Sequence, residues 1–436
     1  MMKLKYSLAA AALAITSAAS AQNWIEDTIS TGNGYLNNVY YSLENGTAAT
    51  NPADNWHIGF SAKVFSASII TNSADKGVRL YALNTDPTTF GTDLTTALVN
   101  KVDADPMSLY NSNHTWENGA FNNTDEAAYG WGDYDIASHW VLGKVVFGLI
   151  TATDTFQIFI EEKQTYQVNN APVYLFKVAQ IDGSNMVEKE LAIGGSTYVG
   201  KNYAYYNIET DEFLDREPLS ENWDFVFSNY NDEAVNTGTS LYKVFGVINN
   251  EGLKVAKVDT ADAFFDDLDY AVYNYDTVIN SIGRVWKSSG PNGVVMTDSL
   301  CYFVKVANGD VWQLVFTHHT TGADTTGAGK VGLKKRKVYE EPISVKEMNA
   351  FVNNVLLAPN PAVNGNVSLL IDAKQQLGQT KITITDINGR AIRSWNTNLS
   401  AGFRQLNLDI SHLNAGLYLV NVSGQGFGIT KKLVIK

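Results

Sequence analysis

A single cysteine, Cys301, stands in a chain of 436 residues. It has no partner for an internal disulfide, so the fold must rest on its packed core. Long apolar runs are missing too. Past residue 21 no segment approaches the ~20 apolar residues that a spanning helix needs, so no membrane span is expected. Positive charge is scarce, with a formal net charge of −13. Nucleic acid is therefore not an expected partner, because phosphate neutralisation requires a basic face. The one basic run, Lys334 to Lys337, reads as a charged strand edge that resists pairing with other chains. Catalytic signatures are absent as well: the sequence holds no Gly-x-Ser-x-Gly elbow, no His-Glu-x-x-His helix, no zinc-type spacing and no phosphate-cradling loop. Cys301 lies in an apolar strand and reads as inert. A binding protein, not an enzyme, is the expected class.

Aromatic residues are abundant: 22 tyrosines, 19 phenylalanines and nine tryptophans in a Thr, Val, Asn and Gly-rich background. That mixture favours strands and turns over helices. At the N-terminus Lys3 and Lys5 precede an apolar run from Leu8 to Ile15, and Ala19 to Ala21 offer small residues for cleavage. Residues 1–21 read as a secretory signal peptide, with Gln22 as the mature start and no cysteine there to carry a lipid.

The chain repeats itself. "VYYSLENG" (Val39 to Gly46) and "AYYNIETD" (Ala204 to Asp211) share Tyr-Tyr-x-aliphatic-Glu. "DNWHIGFS" (Asp54 to Ser61) and "ENWDFVFS" (Glu221 to Ser228) follow them, each with apolar side chains two apart that share a strand face. Tyr134 to Val145 resembles Tyr275 to Val285, and "YLFKVA" (Tyr174 to Ala179) matches "YFVKVA" (Tyr302 to Ala307). Four marks in one order indicate a duplicated domain. In the second copy, Cys301 to Phe316 reads as a hairpin turning on Asn308 and Gly309. That turn pairs Lys305 with Trp312 and Phe303 with Leu314, and puts Phe303, Trp312, Leu314 and Phe316 on one face. Thr260 to Leu268 is the best helix candidate, its Asp262, Asp266, Asp267 and Asp269 reading as a solvated face and not a calcium loop.

After Val338, Tyr339 to Gly365 holds no strong alternation until its end and is punctuated by Pro342, Pro359 and Pro361, so it reads as a linker entering a separate small domain, where Lys381 to Trp395 is another strand, Asn-Gly turn and strand. "LAPNPA" (Leu357 to Ala362), "ITDINGRAI" (Ile384 to Ile392), "LNAGLYLVNV" (Leu413 to Val422) and the final "KKLVIK" together resemble the type A C-terminal sorting domain of type IX secretion cargo. The resemblance implies an immunoglobulin-like β-sandwich, recognition by the type IX secretion machinery, export to the surface or exterior of a Gram-negative cell, and removal of the domain during secretion.

The duplicated part, through "YYNIE", "NWDFVFSNY", "IGRVWK" (Ile282 to Lys287) and "YFVKVANGDVWQLVF", is similar to the HmuY family. That similarity implies all-β domains that bind haem through two axial side chains and pass it to an outer-membrane haem receptor, a role in iron acquisition. The expected architecture is mainly β. Two related β-sandwich-like HmuY-type domains, residues 22–197 with an expanded middle and residues 198–340, precede a linker at 341–356 and the sorting domain at 357–436.

Haem iron takes His, Met, Tyr or Cys ligands from opposite sides of a flat apolar slot. His318 follows Phe316 on the tryptophan-bearing face of the hairpin, and His319 points the other way, so one of the two is the candidate iron ligand. Either also reads as a solvated loop residue. Met296 and Met107 are possible thioether ligands, although methionine more often fills cores. His139, beside Trp140, is a further cofactor candidate with a structural alternative, and His57 and His114 read as structural. The expanded middle of the first copy offers a different function. There Trp116, Trp131 and Tyr134 stand among Asn, Gly and Asp as a possible glycan-binding surface of an adhesive module, unless they anchor the long loop to the fold.

Overall fold

The two Tyr-Tyr hairpins decide the architecture, and each pairs with the other copy. In the computed structural model, which describes residues 23–436 apart from 73–76, 105–107, 165–171, 195–196, 234–240, 261–267, 291–292, 321–328, 341–351, 363–364, 375, 388 and 425–426, the chain divides into units at residues 1–340 and 341–436. The proposed leader, the helix expected from Thr260 and Met107 fall wholly or largely outside the described residues.

In the first unit the hairpin Asn37–Ser42 and Gly46–Pro52 joins the strand Phe225–Glu233, which pairs in turn with Leu241–Asn249. Reciprocally, the hairpin Tyr203–Asn207 and Glu212–Leu214 joins Ile58–Ser61, which pairs with Ile69–Thr71. The registers match across the exchange: Val226 opposes Tyr40 and Ile248, while Gly59 opposes Tyr205 and Ile70. Even the supporting bonds repeat. The Leu43 amide donates to Asp224 Oδ2 (2.6 Å) as the Ile208 amide donates to His57 Nδ1 (3.2 Å), and Asn250 and Asn72 each donate to the carbonyl of the preceding tryptophan. Strand pairing thus crosses residue 197 in both directions, and the two lobes are interleaved along the chain.

The first lobe buries Ile58, Phe60, Phe147, Tyr174, Phe176 and Tyr206 in one core, beneath a seven-stranded sheet between Arg79 and Ala192. A helix, Thr95–Ala104, packs there through Leu98, with Asp93 accepting from the Thr95 amide at its start. The second lobe buries Tyr41, Phe225, Phe227, Trp286, Tyr302 and Trp312. Its five-stranded sheet runs Ile25–Ser30, Lys330–Tyr339, Val311–His319, Leu300–Lys305 and Lys254–Asp259. Tyr174 and Tyr302, equivalent in the repeat, are both fully buried in their own cores.

The structure departs from the sequence reading in three places here. The hairpin turns over three residues, closed by Val306 N–H to Asp310 O and by Gly309 N–H to Val306 O, with Gly309 at φ 101°. The register therefore moves by one: Val304 opposes Trp312 and Tyr302 opposes Leu314, so Tyr302 and not Phe303 joins Trp312 in the core. The basic strand is not an edge, because Ile25–Ser30 covers it; Lys335 lies 4.6 Å from the Tyr41 ring centroid, and Lys334 pairs with Glu26. Trp56 and Trp223 leave the lobe cores and pack where the lobes meet.

That seam carries the symmetry. Tyr40 meets Trp223 edge-on at 5.0 Å and Tyr205 meets Trp56 at 4.9 Å, each an aromatic pair worth about 0.5–1.5 kcal/mol beyond its buried area. The two tyrosine hydroxyls lie 3.3 Å apart. Glu217, beneath the exchanged hairpin, accepts from the Asn202 and Tyr203 amides and the Tyr205 hydroxyl. Burial nevertheless pushes its carboxyl up to about 7.

The second unit, described by itself, is a sandwich. Its sheets are Val352–Ala358, Asn366–Ala373, Gly402–Asp409 and, facing them, Ala391–Leu399, Gly378–Asp386, Gly416–Gly424, Phe427–Ile435. Leu369, Ile371, Ile382, Ile384, Val420 and Leu433 form the core between them. Its first strand begins at Val352, inside the segment read as linker.

Two outcomes follow. Because each lobe needs a hairpin from the other half, separately expressed residues 22–197 and 198–340 are expected to fail to fold alone and to co-purify as a one-to-one complex when co-expressed; a monomeric, well-dispersed NMR spectrum from either piece would contradict the exchange. For Glu217, folding stability is fully present below the unfolded value of 4.5, where both states are protonated, and is lost as pH rises through about 7. Chemical denaturation should therefore show the native chain losing about 3 kcal/mol relative to Glu217→Gln between pH 4.5 and 8, whereas a pH-independent difference would mean that Glu217 folds ionised.

Candidate functional site

The seam holds a cavity of about 110 Å3. Its walls come from both lobes: Trp56, Ile70 and Tyr205 on one side, and Tyr40, Val226 and Ile248 on the other. A segment running from Ser108 to Trp116, part of the expanded middle of the first copy, lies along it. Trp116 straps the lobes together. Its carbonyl accepts from Ser68 Oγ (2.6 Å) and Tyr203 OH (2.5 Å), and its indole donates to the Asn249 carbonyl (2.9 Å). The His114 carbonyl accepts from the Ile279 amide of the second lobe.

The polar lining consists of amides and hydroxyls. Asn38, Asn72, Asn111, Asn113, Asn229 and Asn231 reach the cavity, with Ser108, Ser112, Ser228 and Thr71. Several are held in place: Asn111 exchanges bonds with the Thr71 backbone, Asn113 donates to Asp232 (2.7 Å), and Asp232 accepts from Arg284 (2.8 Å). None of the lining residues is charged. Two lining residues carry a buried polar atom without a hydrogen-bond partner, Trp56 at Nε1 and Tyr230 at its hydroxyl, and Trp56 itself is 7% exposed. The equivalent Trp223 nitrogen is also unpartnered but does not line the cavity. A buried polar group left unmade costs about 1–3 kcal/mol.

The histidines sort differently from the expectation. A β-bulge between Phe316 and His318 breaks the alternation, so His319 shares the Phe316 side and His318 is exposed. His319 stacks on Phe245 (5.5 Å) and Tyr35 (5.9 Å), meets Trp286 edge-on, and has Nε2 3.3 Å from the Tyr35 hydroxyl. Its Nδ1 is buried without a hydrogen-bond partner. Burial, with Lys287 and His318 adding, lowers its pKa to about 4, so the ring is neutral at pH 7. The Lys287 ammonium lies over Trp286 and Phe245. Met296 opposes Lys287 in a short hairpin whose second strand packs against the strand of His319, and its side chain lies against the lobe core. His139 is exposed in the first lobe, 2.6 Å from the Tyr134 hydroxyl, whereas His319 packs against Trp286 of the second lobe's core. It takes no part in a site with His319.

The glycan candidates also separate. Trp131 is fully buried, its indole donating to the Ala67 carbonyl, so it anchors the long loop to the core. Tyr134 lies on the surface with His139, away from the cavity lining. Trp116 alone of the three reaches the cavity. Sequence reasoning missed the six asparagines because they come from several separate elements. Asn229 and Asn231, alternating in "FSNYND", were the visible signal.

Among known proteins, no curated sequence matches this chain. Solved structures with some likeness include an HmuY-like haem-binding candidate from Bacteroides vulgatus, 12% identical, with a TM-score of 0.18, covering 32% of this chain and 86% of its own. Another is the dimeric latent PorU of Porphyromonas gingivalis, 12% identical, with a TM-score of 0.17, covering 61% of this chain and 31% of its own. Neither likeness is close enough to carry the properties of those proteins to this one. Residues 357–436 match the family model of the secretion system C-terminal sorting domain. With that sandwich and its motifs in place, the C-terminal unit belongs to the sorting-domain family, and the protein is cargo of the type IX secretion machinery, bound for the cell surface or the extracellular space.

Proposed function

We propose that the exported first unit is a binding protein that captures a small ligand, without catalysis, in the cavity between its interleaved lobes. The observation that carries this reading is the cavity itself, walled by both lobes. Concave sites at the junction of two packed bodies, apolar with a few convergent polar groups, are where small ligands bind. The lining holds no Asp, Glu, His, Lys or Cys to serve as a general acid or base.

Haem capture for delivery to an outer-membrane receptor is the second reading, and a separate place supports it. His319, neutral with a free Nδ1 in an aromatic nest, would be the iron ligand, with Met296 on the adjoining hairpin as the second and Lys287 beside them for a propionate. His318 and His139 have no role in it.

Two measurements separate the readings. A thermal-shift screen of sugars, nucleosides and amino acids should find ligands that raise the melting temperature of the native chain by about 2–4 °C near saturation, and Ser112→Trp, which fills the cavity, should abolish the shift; an unchanged shift in that variant would move the site elsewhere. For haem, titration with haemin should give a saturable one-equivalent Soret change that His319→Ala removes and His139→Ala leaves intact, whereas a curve matching free haemin would end that reading.

A further inference from the structure

One side chain where the first lobe grips the exchanged hairpin can hold it in only one protonation state. We infer that His57 is an acid-sensitive latch: its unprotonated Nδ1 holds the hairpin Tyr203–Asn207 and Glu212–Leu214 in place, and protonation of that nitrogen loosens it.

Hydrogen-bond geometry sets the state of the ring. His57 is 5% exposed, and its Nδ1 accepts the Ile208 amide hydrogen at 3.2 Å. A ring nitrogen that accepts carries no proton, so the proton of the neutral ring is on Nε2. An imidazolium donates from both nitrogens and accepts at neither. On protonation Nδ1–H faces Ile208 N–H, donor against donor, and the bond is lost. The main chain of the same residue also holds the hairpin, the His57 amide donating to the Tyr206 carbonyl (2.9 Å).

The groups around the ring oppose one another. Glu209 Oε1 lies 3.8 Å from Nε2, and Glu209 and Asn207 both favour the charged ring. The Glu209 carboxylate is occupied by the Thr151 and Thr153 hydroxyls, and Asp211 on the same turn by Tyr206 and Lys189. Burial outweighs them and lowers the pKa of His57 below its ordinary 6.5. The neutral ring therefore favours the fold above pH 6.5, and that contribution is lost as the pH falls.

The other copy provides the contrast. Asp224, in the place of His57, accepts the Leu43 amide hydrogen through a carboxyl oxygen (2.6 Å), and a carboxyl keeps accepting capacity when protonated. The latch thus belongs to one lobe. Trp56, next to His57, and Tyr205, on the hairpin, both wall the seam cavity, so loosening the hairpin disturbs that wall. This last consequence rests on the cavity site proposed above; the latch does not. Glu217, beneath the same hairpin, titrates in the opposite sense, its protonated form favouring the fold, so the response to acid has to be read against a variant at residue 57.

The test is amide hydrogen exchange by NMR on residues 22–436 from about pH 7.5 to about pH 4.5, corrected for the intrinsic pH dependence of exchange. The native chain is compared with His57→Asn, whose side-chain oxygen accepts a hydrogen bond and does not titrate. Protection of Ile208 in the native chain should fall about tenfold relative to the variant as His57 is protonated, the loss of about one hydrogen bond. Equal courses in the two proteins, or native protection that rises relative to the variant in acid, would overturn the latch. If His57→Asn does not fold, the native chain decides alone: the Ile208 amide shift should follow the His57 ring titration, and an Ile208 amide that keeps its shift and its protection once His57 is protonated would overturn the assignment. Because no ligand enters the experiment, its failure leaves the cavity reading standing.

Discussion

Everything distinctive in the first unit depends on one exchange: each Tyr-Tyr hairpin pairs with the central strand of the other copy. Had each hairpin paired within its own copy, the two lobes would be separate bodies joined by a linker. Exchange instead places Tyr40 against Trp223 and Tyr205 against Trp56, and brings the two tyrosine hydroxyls together where the lobes meet. The seam is therefore made of strand pairing as well as side chains, and its geometry is fixed by backbone hydrogen bonds. A cavity in such a seam is preorganised, which reduces the ordering cost of binding.

The lobes have diverged around this shared frame. His57 occupies the place of Asp224, and both accept the same amide hydrogen bond from the incoming hairpin. Gly59 stands where the other copy has Val226, because a Cβ there would press on Ile70 within 2.7 Å. The larger change is the strap from Ser108 to Trp116. It has crossed to the second lobe through Asn249 and Ile279 and gives the cavity amides that neither central strand supplies. The sorting domain adds an address without adding to this site.

Much of this was legible in the sequence. The duplication, the strand content and the C-terminal sandwich could be read from repeated motifs, alternation and turn residues. The exchange could not, because both hairpins carry the same Tyr-Tyr-x-aliphatic-Glu signature and local sequence does not tell a hairpin which central strand to join. One extra residue in each of two places accounts for two other misreadings. A three-residue turn in place of the Asn-Gly pair moved the register beside Trp312, and the bulge after Phe316 exchanged the places expected of His318 and His319. Trp131 and Trp116 sit in the same polar stretch, yet one fills a core and the other lines the seam. Only the fold distinguishes them, since the partners of each lie far off in sequence.

The exchange is the claim on which the cavity, the seam and the functional reading all stand. Methyl and aromatic NOEs on the full chain test it directly. The account predicts NOEs from the Val39 methyls to the Phe227 ring and from the Ile58 methyls to the Tyr206 ring, since these pairs share the second and first lobe cores. NOEs from Val39 to Phe60 and from Tyr206 to Phe227 in their place would show each hairpin folded on its own copy, and the account would fail.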